Sequence, residues 1–342
     1  MAKNFRKTLL DILKYGAALG IAVALLWYVY RDLEFASIIA YFANINYWWL
    51  SLSIFIAIAS HYIRAYRWNM MFEPLGYQLK TSRTFVAVMV GYFANNLVPR
   101  LGEVTRCGLL KKTDGVALTS AFGTVVAERA LDLIILLLIS LGTFILEFDK
   151  LYDFILGNFG ERFPDSSAFN QKLIAIFIII SFIFITGVVL IRLYKEQLKR
   201  HSLFIKIRKI ARELLAGFLS IKRIKKQWTF WFLTLTIWFM YYAMLIVIFF
   251  AFPSTTNLSF MAGLTVLVMS GFGMSAPVQG GIGVFHILVS SVLVLYGISP
   301  EEGKMFALIA HSSQFLTIMV VGGICFLISF FMAKRNSYAE QE

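Results

Sequence analysis

Charge, cysteine, histidine and proline are all scarce in this 342-residue chain. Only 15% of it is Asp, Glu, Lys or Arg, against about 25% in an ordinary soluble domain. With 59% hydrophobic residues, 16% aromatic residues and a mean hydropathy of +0.75, the apolar excess is too large for one core, because much of any soluble fold faces water. A soluble enzyme and a disordered chain are therefore excluded. The two cysteines, Cys107 and Cys325, are far apart, which removes a disulfide scaffold. The four histidines are dispersed, none at metal-ligand spacing with another His, Cys or Glu, so neither a metal nor another cofactor is expected. Only six prolines interrupt the apolar runs. Those runs are too long for the short alternating segments of a membrane barrel. What is left is an all-α polytopic membrane protein.

Runs long enough to span a bilayer cover residues 15–30, 47–63, 117–147, 173–191, 228–251 and 305–332. The first follows a basic patch (Lys3, Arg6, Lys7, Lys14) like a signal peptide. Tyr28-Val29-Tyr30-Arg31-Asp32 offers no small-residue cleavage site, however, so a retained helix is expected. Two further apolar stretches, 84–98 and 260–275, run into Pro/Gly turns, Val98-Pro99-Arg100-Leu101-Gly102 and Ala276-Pro277-Val278-Gln279-Gly280-Gly281-Ile282-Gly283. Proline lacks a donor and glycine allows sharp reversals, and a polar turn at membrane depth must be buried in protein or line water. Both stretches are expected to form re-entrant helical hairpins.

Acidic residues are the scarcer charge, 19 against 32 Lys and Arg, for a net +13. In a soluble protein this would suggest nucleic acid. With the N-terminus cytoplasmic and both hairpins re-entrant, 26 of the 32 cations fall on the cytoplasmic side and 5 outside, leaving Arg129 in a span. The surplus is then a topology signal, and no nucleic-acid partner is implied. Both termini are placed inside. The order of elements becomes span, span, hairpin, span over residues 15–147, and again over 173–332 from the opposite side. This is an inverted-topology repeat within a single membrane domain, the plan of many carriers. The stretch 192–227 holds 12 of the cations with apolar residues at helical spacing. It reads either as an interfacial helix on the anionic leaflet or as a connector that obeys the inside-positive rule.

Glu128, Arg129 and Asp132 lie inside an apolar stretch. Glu128 and Asp132 share a helix face. Charges at membrane depth face a polar cavity or one another, so the trio is either a closed network pinning the helix or a site for a charged headgroup or proton. The first hairpin adds Asn95, Asn96, Arg100, Glu103 and Arg106. A guanidinium forks onto phosphate oxygens, which makes Arg100 and Arg106 candidate phosphate ligands. For Arg106, snorkelling to the interface is the equal alternative. Lys111 and Lys112 read as interfacial anchors, and so do Arg64 and Arg67 beside Tyr62, Tyr66 and Trp68. In the second hairpin, Gly281 and Gly283 permit either close packing or exposed backbone donors, while His286, His311 and Gln314 read as path lining or as packing. No hydrolytic constellation is visible, so transport is expected rather than catalysis.

Together, Arg67-Trp68, the run from Gly91-Tyr92-Phe93-Ala94-Asn95-Asn96 to Thr105-Arg106, Glu128-Arg129-x-x-Asp132, and Pro277 with Gly280-Gly281-Ile282-Gly283-Val284-Phe285 resemble the lysylphosphatidylglycerol synthase transmembrane-region family. This is the flippase-like domain of multiple peptide resistance factors. The resemblance covers about residues 10–332. It implies an integral plasma-membrane protein that translocates a lipid with a charged headgroup between leaflets. That lipid would be a phospholipid, aminoacylated or not, or a polyprenyl-phosphate-linked sugar, made by a separate enzyme. The chain ends at Glu342 without a synthase domain, so synthase activity is not expected. Family members often carry an acid where this chain has His286. A carrier for a small solute and a membrane-embedded lipid-modifying enzyme are the alternative functions.

Overall fold

The computed structural model describes residues 16, 20–148, 150, 221–276 and 278–339, with side chains to residue 332. Among these residues there are ten α-helices and no strands: α1 (Gly20–Tyr30), α2 (Phe35–Ala43), α3 (Tyr47–Phe72), α4 (Thr81–Leu97), α5 (Leu101–Asp114), α6 (Leu118–Leu146), α7 (Gln227–Phe249), α8 (Phe260–Ser275), α9 (Val284–Leu295) and α10 (Pro300–Ala339). Three are long and apolar enough to cross a membrane: α6, α7 and Pro300–Met332 of α10. A fourth crossing is reached if α2 and the helix from Tyr47 count as one span bent by 83°. Leucines and aromatics cover the outer faces of these helices, among them Leu137, Leu138 and Leu141 on α6 and Leu316, Val320 and Ile324 on α10. An exposed apolar surface of this extent belongs in lipid.

The caps are local. Asn46 Oδ1 accepts from the amide of Trp48 to start α3, and Ser259 Oγ accepts from Ala262 to start α8. Gly115, with φ +68°, closes α5 in the left-handed conformation that favours glycine. Two boundaries depart from expectation. A short helix, α2, precedes the second expected span, set off by the Asn44–Asn46 break. Helix α3 does not stop at residue 63. No breaker occurs before Glu73-Pro74, so it continues for more than two further turns and carries Arg64 and Arg67 with it. The expected span 173–191 and most of the basic stretch 192–227 lie outside the described residues.

Both expected hairpins occur as helix–turn–helix pairs, α4 packed on α5 and α8 packed on α9. In the first, the crossing is backbone against backbone. A Cβ on Gly102 would fall 2.0 Å from the carbonyl oxygen of Gly91. In the second, a Cβ on Gly273 would fall 2.6 Å from Cα of Phe285. The wider packing is reciprocal. α3 packs along α7, α10 packs on α4 of the first hairpin, and α6 packs on α8 of the second. One apolar core gathers around Trp68, Phe72, Leu110 and Leu131, and another around Phe249, Val289, Leu293 and Phe306. The hairpin tips meet between them. Gln279 Nε2 donates to the carbonyl of Leu97 at 3.0 Å, and Gly280 sits against the side chain of Asn96.

Candidate functional site

The extension of α3 carries Arg64 and Arg67 into the protein, where both are buried. Three residues apart, they share one face and meet the carboxylates presented by α6 at the i, i+4 positions 128 and 132. Arg64 Nη1 donates to Glu128 Oε1 at 2.7 Å and to Asp132 Oδ2 at 2.8 Å. Arg67 Nη2 donates to Asp132 Oδ1 at 3.1 Å and to Glu128 Oε1 at 3.4 Å. Helix α7 completes the shell. The Tyr241 hydroxyl accepts from Arg64 Nε and Nη2, and Thr234 Oγ1 accepts from Arg67 Nη1. Charges this deep persist only when paired and hydrogen-bonded. The interfacial-anchor reading of Arg64 and Arg67 is therefore corrected, since both guanidiniums are buried in ion pairs with α6.

From α5, Arg106 adds a third buried guanidinium. Its Nη2 lies 2.9 Å from Glu128 Oε2, and its plane sits 4.4 Å from the Trp68 ring centroid, a cation–π contact. Trp68 is itself held by donation from Nε1 to Thr124 Oγ1. The Arg106–Glu128 contact is an ion pair without hydrogen-bond alignment, and Arg106 Nε has no hydrogen-bond partner among the described residues. Arg129 makes its ion pair elsewhere. It points outward, 43% exposed, and pairs at 3.4 Å with Glu103 of α5. Three buried guanidiniums thus face two carboxylates. The negative surplus that Glu128, Arg129 and Asp132 suggest as a trio becomes a positive one.

Beside Arg106 lies a crevice between the first hairpin and α6 that is too tight to hold a water, lined by Val88, Gly91, Tyr92, Asn95, Gly102, Glu103, Arg106 and Arg129. Asn95 Oδ1 accepts from the amide of Gly102 at 2.7 Å and so caps α5. Its partner residue Asn96 turns to the other hairpin at Gly280, with its Nδ2 buried and unpartnered among the described residues. Arg100 adopts φ +63°, the single non-glycine residue with positive φ among those described, and is exposed at the tip. The sequence-predicted residues Asn95, Glu103, Arg106, Glu128, Arg129 and Asp132 are brought together. Arg100 and Asn96 stand at the tip beside them.

Gly281, Gly283 and His286 belong to the other hairpin. Gly281 and Gly283 have φ +74° and +85°, and Leu25 of α1 presses on Gly283 so closely that a Cβ there would lie 2.3 Å from it. His286 Nδ1 accepts from the amide of Gly283 at 3.1 Å. His311 Nε2 lies 2.8 Å from the carbonyl of Gly280, and the two imidazole centroids are 4.7 Å apart. This hairpin presents no carboxylate or guanidinium to the tip contact.

What sequence reasoning missed is the pair Arg64 and Arg67. The signal was present in the absence of any helix breaker between residue 63 and Pro74, which puts both arginines inside the helix rather than at its end.

Among known proteins, the chain matches the UPF0104 membrane protein MJ1595 of Methanocaldococcus jannaschii at 34% identity over 107 residues, 30% of this chain and 32% of the relative. The match spans about a third of that protein's length. No solved structure matches. The profile of the lysylphosphatidylglycerol synthase TM region matches residues 16–322. With its two packed hairpins and buried arginine–carboxylate cluster inside that matched span, the chain belongs to the lysylphosphatidylglycerol synthase TM region family.

Proposed function

We propose that this protein moves a lipid with a charged headgroup from one leaflet to the other, as a flippase-like translocator rather than a catalyst. The observation that carries the reading is the meeting of two helical hairpins beside a buried arginine–carboxylate cluster. Polar backbone breaks are tolerated at membrane depth only where protein or a water-lined path surrounds them. Intramembrane ionisable groups mark such paths. The reciprocal packing of α10 on α4 and of α6 on α8 supports an inverted repeat, and with it re-entrant hairpins entered from opposite sides. The headgroup would pass along the crevice by Arg106 and Arg129 while its acyl chains stay in the bilayer. Arg100 at the exposed tip would make first contact with the phosphate.

The charge asymmetry supports cytoplasmic termini, and the family resemblance supports the plasma membrane as the setting. A separate enzyme supplies the lipid. The test is a leaflet-resolved assay in proteoliposomes with tail-labelled lipids. Transbilayer movement above that of protein-free liposomes is expected. Equal movement for every lipid tried overturns the reading. Product formation in detergent micelles would point to an enzyme instead.

A further inference from the structure

Resting on that reading, we infer that the first-hairpin site selects a lipid whose headgroup is net negative, a phosphate ester with no ammonium to balance it, and discriminates against a cationic aminoacylated lipid. The argument is one of sign. In the crevice and the cluster behind it, four guanidiniums (Arg106 and Arg129 in the lining, Arg64 and Arg67 behind) are paired with three carboxylates (Glu103 in the lining, Glu128 and Asp132 behind). One positive charge is left over. A buried charge without a counter-charge is costly, so the complementary ligand is a single anion.

The position of that surplus is also defined. Glu128 and Asp132 are consumed by Arg64 and Arg67 and are closed to an ammonium group. Arg106 lines the crevice, almost fully buried, with Nε unpartnered and Nη2 held only by an unaligned ion pair. Arg129 is half-exposed and reaches Glu103 at 3.4 Å, a long contact for such a pair. The cleft is closed to a water-sized group as it stands, so an incoming phosphate oxygen would have to displace Glu103 from Arg129 to reach the open donor of Arg106. Glu103 then acts as an internal competitor for the anion. The free carboxylate oxygen Glu103 Oε2, buried without a hydrogen-bond partner among the described residues, fits a side chain in a provisional pairing.

The experiment measures lipid binding by thermal stabilisation of the purified full chain in detergent. The probes are phosphatidylglycerol, phosphatidylcholine and lysylphosphatidylglycerol, with inorganic phosphate and glycerol 3-phosphate as lipid-free arms. Phosphatidylglycerol is expected to bind most tightly and lysylphosphatidylglycerol most weakly. Arg129→Gln should weaken phosphatidylglycerol about tenfold, the loss of one charge-assisted hydrogen bond, while Arg129→Lys keeps the order. Glu103→Gln should tighten it by about the same factor, an effect a merely structural role would not produce. Tighter binding of lysylphosphatidylglycerol, or weaker anion binding in Glu103→Gln, overturns the inference. Equal stabilisation by inorganic phosphate overturns its lipid part. If Glu103→Gln does not fold, the Arg129 pair of variants decides alone. The two readings fail separately. Selective binding without transbilayer movement sinks translocation only, and movement of the cationic lipid in preference sinks the selectivity only.

Discussion

The first hairpin reverses within three residues, Val98 to Arg100, and places one arginine in that turn and another, with a glutamate, on its returning helix. The second takes eight residues, Ala276 to Gly283, and carries three glycines of positive φ and a histidine in their place. The two pack in the same manner, helix on helix at a point where no Cβ fits, and their tips touch. One is held to its surroundings by ion pairs and the other by backbone geometry. On the proposed reading the difference divides the work: the first hairpin would recognise charge, and the second would supply a shaped, neutral surface against which the first is set.

The largest effect that would break this contrast is expected at Glu128. Its carboxylate meets three guanidiniums; Glu128→Ala leaves Arg64 and Arg67 to share Asp132 and strips buried Arg106 of its ion-pair partner, at a cost of about 3–5 kcal/mol. The monodisperse yield in detergent should collapse, and a normal yield would mean that the cluster is not what holds the first hairpin. Next come the crossings. Gly102→Ala and Gly273→Ala each force a methyl group into backbone, costing about 1–3 kcal/mol. Thermal unfolding should place the two variants close together, because here the hairpins are alike. A wide gap would show that their packing differs as much as their chemistry.

A smaller loss is expected for His286→Ala, which removes the acceptor of the Gly283 amide. A lost cap costs about 1 kcal/mol. The Asn variant should recover part of the loss, and lipid binding at the first hairpin should stay unchanged. Altered lipid preference in His286→Ala would move recognition into the second hairpin. The smallest stability change belongs to Arg129→Gln, within about 0.5 kcal/mol for a half-exposed ion pair. A Tm indistinguishable from wild type, together with the weakened anion binding described above, separates its function from its packing.

Much of this arrangement was readable before any coordinates. Pro99 and the glycines from 280 to 283 marked the reversals, because only those residue types interrupt an apolar helix in this way. Glu128 and Asp132 announced a site by being charged within a hydrophobic run. Arg64 and Arg67 were misread as lying past a helix end although the unbroken run to Pro74 keeps them inside the helix; which way they turn from it is not set by local pattern. Both sit beside aromatics at the margin of an apolar run. Their partners lie on another helix, and only the tertiary packing of α3 against α6 and α7 brings them there. The net sign of the site lay out of reach for the same reason. A count restricted to one helix sees two acids and one base, whereas the assembled cluster draws arginines from three helices. The Arg129–Glu103 pair was equally out of reach, because it depends on how α5 crosses α6.

The pairing of Arg64 and Arg67 also bears on how the protein is made. Their carboxylate partners emerge 61 to 68 residues later in the chain. When α3 leaves the ribosome it carries two arginines with nothing to neutralise them, each costing about 2.5–3.5 kcal/mol at the centre of a lone inserted helix. Helix α3 therefore reaches its full stability in lipid only once α6 supplies Glu128 and Asp132, and a chain truncated before α6 is expected to insert α3 less completely than the full chain.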